Sequence, residues 1–228
     1  MKNILPLILA GGLGTRLGSF TRNIPKPMIL IKKRFFIHYV LDQLITYGFN
    51  EVFLSIGHKA NYFRKNLGEK YKELKINYIE EHEPLGTGGA IKNSFRSINA
   101  DKILVMNGDS YCDVNLKNFF KNFKEKYDVF LVGVNVKNAN RFGNVVFDKK
   151  FRILKFEEKK NIKNSIINAG IYIFKKNFFE KSKFKDKFSL EISILSNCKD
   201  FSLYVYPKGQ KFIDIGTPKS LLEAYSFF

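Results

Sequence analysis

Apolar residues in this chain come in short runs that alternate with stretches of helical spacing, and that alternation predicts most of the secondary structure. Ile4–Leu9 is a compact apolar run that ends at Ala10-Gly11-Gly12. A run of that length closed by glycines fits a strand buried on both faces of a parallel sheet better than a helix. Over residues 35–47 the apolar positions Phe36, Tyr39, Val40, Leu44 and Tyr47 recur three or four apart and stop at Gly48, the pattern of an amphipathic helix with a glycine terminator. Glu51–Ile56 reads as a second strand, residues 61–67 as a short helix closed by Gly68, and residues 76–79 as a third strand. A further helix is expected from the glycine-containing stretch 84–89 to Ile98, then a buried strand over 103–106 that ends at Asn107-Gly108-Asp109. This order predicts an α/β fold, Rossmann-like, with a mixed, mainly parallel sheet flanked by helices and sites at the carboxyl ends of its strands.

Past a helix predicted over 115–126 the pattern changes. Residues 129–136, 145–147, 153–157 and 166–174 are strand-like with little helix between them, so this half is expected to be antiparallel. A helix around 190–195, strands near 203–206 and 212–215, and a last helix starting at Pro218 complete the reading, proline being well tolerated at a helix start. No repeat and no linker is visible, so residues 1–228 are expected to form one domain.

Composition narrows the class. With 45% hydrophobic and 15% aromatic residues, the chain carries enough apolar side chain to form a core, which excludes global disorder. The formal charge of +18 would ordinarily point to a polyanion. Here the lysines are spread along the whole length, so no nucleic-acid partner is assigned. Cys112 and Cys198 form no CxxC and have no histidine at ligand spacing, which indicates neither a zinc site nor a disulfide framework. The N-terminal apolar run breaks at once into a glycine loop, and no stretch approaches the roughly 20 apolar residues of a membrane span. A soluble, cytoplasmic protein is expected. His38, His58 and His82 are scattered and receive no catalytic role. The Phe-rich stretches at 119–123, 178–179 and 227–228 are expected as core or interface anchors, the latter in a homo-oligomer.

The loop after the first strand carries the chemistry. Glycines let backbone N–H groups approach anionic oxygens without a Cβ in the way. A dinucleotide-binding G-x-G-x-x-G started at Gly12 ends on Leu17, and a P-loop started at Gly11 or Gly12 meets Arg16 or Leu17 where glycine is required. What remains is Leu9-Ala10-Gly11-Gly12-Leu13-Gly14-Thr15-Arg16-Leu17, followed ten residues past Arg16 by Lys26 in Pro25-Lys26-Pro27-Met28. The chain then shows Glu83-Pro84-Leu85-Gly86-Thr87-Gly88-Gly89-Ala90, Asn107-Gly108-Asp109, Arg141-Phe142-Gly143, Phe156-Glu157-Glu158-Lys159, Asn168-Ala169-Gly170-Ile171-Tyr172 and Phe212-Ile213-Asp214-Ile215-Gly216-Thr217-Pro218, in that order.

Taken together these stretches resemble the sugar-1-phosphate nucleotidyltransferase family across nearly the whole chain. Within it they look closest to the D-glycero-α-D-manno-heptose 1-phosphate guanylyltransferases, with mannose-1-phosphate guanylyltransferases and muramic acid phosphate uridylyltransferases next. The resemblance implies attack of a sugar phosphate on the α-phosphorus of a nucleoside triphosphate, giving a nucleotide sugar and pyrophosphate. It implies a nucleotide-binding half over 1–126 and a sugar-binding half over 127–228. Arg16 and Lys26 are the expected catalytic cations, suited to phosphate contacts. Leu9, Ala10, Gly11, Gly12, Gly14, Thr15, Glu81, Glu83, Gly86, Thr87, Gly88 and Asn107 are expected around the nucleotide. Gly143, Glu157, Glu158, Lys159 and Asn168 are expected around the sugar phosphate, with Lys159 on its phosphate. Asp109 and Asp214 lie far apart in sequence, each at the end of an apolar strand; a fold that joins those ends makes an oxygen site suited to Mg²⁺. Asp113 reads as a turn residue.

A guanine edge presents N1–H and N2–H donors that a carboxylate reads as a pair, so Glu81 and Glu83 favour GTP over UTP or dTTP. The expected acceptor is heptose 1-phosphate, serving surface polysaccharide synthesis. A glycosyltransferase would give no reason for Arg16 and Lys26, and a silent nucleotide-sugar sensor none for both aspartates. With the chain running ten residues past Pro218, no acyl-transfer or regulatory extension is expected.

Overall fold

The structure is a computed structural model that describes residues 4–158 and 163–228. Strand β1 (Ile4–Leu9) lies at its centre. Leu7 and Ile8 are both fully buried yet belong to different apolar clusters, one on each sheet face, because successive side chains of a strand point to opposite sides. A strand so placed has no polar face, which is why its sequence shows no alternation.

After β1 the chain passes through 3₁₀ segments at Thr15–Thr21 and Lys26–Met28. A small hairpin of β2 (Leu30–Ile31) and β3 (Arg34–Phe35) then leads into helix α1 (Phe36–Thr46). There follow β4 (Glu51–Ile56), α2 (Ala60–Leu67), β5 (Lys70–Tyr71), β6 (Leu74–Glu80), α3 (Gly86–Ser97), β7 (Lys102–Asn107), β8 (Ser110–Cys112) and α4 (Leu116–Asn122). The second half comprises β9 (Val129–Asn138), β10 (Gly143–Phe147), β11 (Ile153–Glu158), β12 (Lys163–Lys175), α5 (Lys176–Lys181), α6 (Leu190–Ser193), β13 (Leu203–Gly209), β14 (Phe212–Asp214) and α7 (Pro218–Phe227).

Strands β6, β4, β1 and β7 pair in that order and all parallel. Winding reverses at β1: the next strands, β4 and β6, lie on one side of it and β7 on the other, which opens a crevice at the carboxyl ends of β1 and β7. Leu9 stands in register with Asn107 there, and the Gly108 N–H donates to the Leu9 carbonyl at 2.9 Å. Beyond β7 the sheet continues through β12 and β9, each antiparallel to its neighbour, as the second half predicts. One strand departs from that expectation: β13 returns parallel to β9.

Other departures have local causes. Helix α4 stops at Asn122 instead of reaching 126, because Phe123 takes extended backbone (ψ 137°) and turns its ring toward Tyr127 and Phe130. Helix α5, not anticipated, buries Phe178 and Phe179. Phe119 is buried too, and Phe228 stacks on Tyr39 at 3.7 Å, so these Phe-rich stretches are spent on packing within the chain. Both cysteines are buried and free, and burial pushes the Cys112 thiol up to about 12. Among the described residues no helix is long and apolar enough to cross a membrane.

Candidate active site

The loop that leaves β1 is shaped by its own hydrogen bonds. Ala10 N–H donates to the Ser55 carbonyl at 2.8 Å, and Gly14 takes a left-handed φ of 67° whose carbonyl accepts from the Thr21 hydroxyl at 2.9 Å. This turn carries Thr15 and the exposed Arg16 back over the end of the sheet. Lys26 opens the next 3₁₀ segment and is only 7% exposed; its Nζ is ion-paired with the Asp109 carboxylate just beyond β7.

The second aspartate arrives from far along the chain. Strand β14 pairs antiparallel with β8, setting Asp214 opposite Ser110, and the Ile215 N–H donates to the Asp109 carbonyl at 3.0 Å. The fold thus joins the two strand ends that carry Asp109 and Asp214. Arg141 ion-pairs with one Asp214 oxygen while Gly216 N–H donates to the other at 2.9 Å. Arg141 also donates to the Thr217 hydroxyl at 2.6 Å, and Thr217 caps α7 in a reciprocal box with Ser220.

Two clefts meet at these residues. The first, of 410 Å³, is lined by Leu9, Ala10, Gly11, Gly12, Gly14, Thr15, Glu81, Gly86 and Thr87 together with Arg16, Lys26, Asn107 and Asp109. The second, of 340 Å³, shares those last four and adds Arg141, Gly143, Phe156, Asn168, Tyr172, Glu191 and Asp214. The shared junction holds two cations, a carboxylate and a side-chain amide, a composition suited to anionic oxygens from both sides.

Most of the residues singled out in the sequence fall on these walls, and several do not. Glu81 lines the first cleft with its carboxylate fixed by the Ser55 hydroxyl at 2.6 Å and the Leu85 N–H at 3.3 Å. Glu83 is exposed and lines neither cleft, and Gly88 is buried behind the wall. Asn168 donates to the Tyr172 hydroxyl at 2.6 Å and accepts from the Gly170 N–H at 3.0 Å, which fixes its orientation. Tyr172 is 1% exposed, and burial pushes its phenol well above the ordinary value, so it stays protonated. Glu157 is ion-paired with Lys155 at 2.6 Å and pairs in register with Asn144, away from the lining. The backbone of Glu158 sits opposite Gly143. Lys159 lies outside the described residues. Sequence reasoning left Arg141 and Glu191 without a role; the first stands in the Arg-Phe-Gly stretch, and the second has no local signal.

Asp109 and Asp214 both line the second cleft. Both present carboxylate oxygens, the donors that hard cations take, and each is now balanced by a side-chain cation, Lys26 or Arg141. Among the described residues no group of three or more His, Cys, Asp and Glu is gathered in one place.

The chain is similar to known proteins over most of its length. It is 37% identical over 222 residues to a D-glycero-α-D-manno-heptose 1-phosphate guanylyltransferase of Aneurinibacillus thermoaerophilus, covering 96% of this chain and 95% of that one. It is 35% identical over 213 residues to the protein of the same name in Campylobacter jejuni, covering 93% and 95%. Its fold superposes on the crystal structure of HddC from Yersinia pseudotuberculosis with a TM-score of 0.87 and 36% identity, covering 98% of both chains; that protein has also been crystallised in complex with GMP-PN. The nucleotidyl transferase family pattern matches residues 5–228. That match runs from within β1 past the end of α7 and takes in both clefts and their junction: this chain belongs to the nucleotidyl transferase family.

Proposed function

We propose that the protein transfers a guanylyl group from GTP to D-glycero-α-D-manno-heptose 1-phosphate, releasing pyrophosphate and an activated sugar for surface polysaccharide synthesis. The observation that carries this reading is the pair of clefts that share Arg16, Lys26, Asn107 and Asp109. A triphosphate in one and a sugar phosphate in the other would meet at two cations. The similarity to heptose 1-phosphate guanylyltransferases supports the choice of sugar and base.

In this reading a sugar phosphate oxygen forms the new bond to the α-phosphorus, and the bond from that phosphorus to the β-bridging oxygen breaks, releasing pyrophosphate with the electron pair. The attacking phosphate is already ionised near neutral pH, so no side chain has to remove a proton. What the residues supply is position and charge. Arg16 forks onto the triphosphate and the departing pyrophosphate, Lys26 adds a fixed charge at the junction, and Lys159 holds the sugar phosphate. Asp109 and Asp214 would hold Mg²⁺, which when bound neutralises phosphate oxygens and aligns them.

Glu81 is assigned the base. Its carboxylate is fixed at the wall of the first cleft, acceptor-only, and suited to the paired N–H donors of guanine. Pyrophosphate release measured with GTP, UTP, dTTP and CTP tests this directly. GTP is expected to give a kcat/KM about 10-fold or more above the others, and Glu81→Gln to shrink that margin, since a paired contact discriminates by about 1–3 kcal/mol. Equal turnover with UTP or dTTP would remove the guanine assignment.

A further inference from the structure

Glu191 stands in the sugar-side cleft near Asn168 and Tyr172, yet it is held by the nucleotide side. Its Oε2 accepts two hydroxyl hydrogen bonds, from Thr87 at 2.8 Å and from Ser189 at 2.7 Å. Thr87 lines the first cleft, and its own hydroxyl oxygen accepts from the Leu190 N–H at 3.0 Å. No hydrogen bond from the described residues reaches Oε1 of Glu191.

The junction between these two segments is tight and glycine-dependent. Gly88 and Gly89 N–H groups donate to the Phe188 carbonyl at 3.1 and 3.2 Å, and Phe188 N–H donates back to the Leu85 carbonyl at 3.0 Å. A Cβ on Gly88 would lie 2.2 Å from the Phe188 ring, and one on Gly89 would lie 2.2 Å from the Asp186 carbonyl oxygen. The Gly-Thr-Gly-Gly stretch therefore lets the start of α3 press against the 186–191 segment, and the threonine between the glycines reaches across to Glu191. Lys92 fastens the same segment one turn further along α3, donating to the Phe184 carbonyl at 2.7 Å and to Asp186 at 2.9 Å.

We propose that Glu191 accepts a hydroxyl of the sugar phosphate through Oε1 while Oε2 ties that contact to the nucleotide-binding turn, making it a specificity-determining residue that couples the two subsites. The inference rests on the guanylyltransfer reading for the presence of a sugar phosphate in the second cleft. A carboxylate repels phosphate, so Glu191 belongs to the hydroxylated end of the ligand, with the phosphate at the Arg16 and Lys26 end. An acceptor whose other oxygen is already fixed by two donors loses little freedom on binding, which favours selectivity among hydroxyl patterns.

The test compares wild-type protein with Glu191→Ala, Glu191→Gln and Thr87→Val, using the sugar phosphate that the wild type turns over and its mono-deoxy analogues. Glu191→Ala is expected to raise KM for the sugar phosphate about 10-fold or more while KM for GTP stays within about threefold, the loss of a hydrogen bond to a charged group. One deoxy analogue, poor with the wild type, is expected to be used by Glu191→Ala as well as the parent sugar is. Thr87→Val is expected to raise both KM values, since it loosens the tie and touches the first cleft. The isosteric Glu191→Gln supplies the same comparison if the alanine variant does not fold. An unchanged KM for the sugar phosphate, or an equal factor for the parent and every deoxy analogue, overturns the proposal. Failure of heptose 1-phosphate as a substrate of the wild type would instead refute the sugar assignment and leave the Glu191 comparison to be made on the sugar that works.

Discussion

Replacing Lys26 by Ala is expected to lower kcat for pyrophosphate release by about 10²–10³-fold, the scale on which one preorganised transition-state donor acts. Lys26 is buried, its Nζ is paired with Asp109, and it lines both clefts at the point where they join. Burial makes its charge effective and keeps it from being replaced by water. The same burial predicts that Lys26→Arg does not restore activity. Nζ is held as a compact charge against the Asp109 carboxylate, and a longer, planar guanidinium would carry its charge away from that point of the junction. Removing the lysine also leaves Asp109 without its partner, so kcat and the thermal midpoint should be measured on the same preparations. A variant that keeps its thermal midpoint but loses turnover places the effect in the reaction.

The second large effect is expected from Asp214→Asn and Asp109→Asn. Each should reduce kcat by about 10²–10³-fold and raise the Mg²⁺ concentration for half-maximal rate about 10-fold or more, since a neutral amide oxygen is a poorer ligand for a hard cation. Titrating the rate with Mg²⁺ reads both numbers at once. Asp214 carries an additional expectation: its ion pair with Arg141 and its hydrogen bond from Gly216 fix it beside the cap of α7. Arg141→Ala should therefore show the same rise in Mg²⁺ requirement in weaker form. Full Mg²⁺-dependent activity in either aspartate variant would remove the metal assignment.

Where the sequence and the structure agree, a local physical signal is strong. Strands β1 and β4 have the bounds that their apolar runs predict, because a run buried in a parallel sheet is mostly apolar and stops where glycine or a turn begins. The glycines of the loop follow from backbone access to anionic oxygens, whereas Arg16 and Lys26 are singled out by the family resemblance of the two stretches together. Asp109 and Asp214 were legible only as two strand ends; what joins them is the three-residue pairing of β8 with β14, too short to leave a period in the sequence. Glu81 and Glu83 could not be told apart by spacing, because residues two apart on an extended strand share a face. Strand β6 ends at Glu80 and the chain bends at 82 and 83, which leaves Glu81 on the cleft and Glu83 outside. Arg141 stands in the Arg-Phe-Gly stretch, but its pairing with Asp214 and Thr217 depends on β14 and α7, and Glu191 owes its place to Thr87 of α3, contacts with elements distant in sequence.

Every residue role assigned above depends on transfer of the α-phosphoryl group between two bound substrates. Purified protein supplied with GTP labelled at the α-phosphorus, D-glycero-α-D-manno-heptose 1-phosphate and Mg²⁺ measures it directly. The label is expected to move into a guanosine diphosphate sugar while one unlabelled pyrophosphate is released for each product formed, and only when both substrates are present. Pyrophosphate released without the sugar phosphate, or no labelled nucleotide sugar with any sugar 1-phosphate offered, would contradict it.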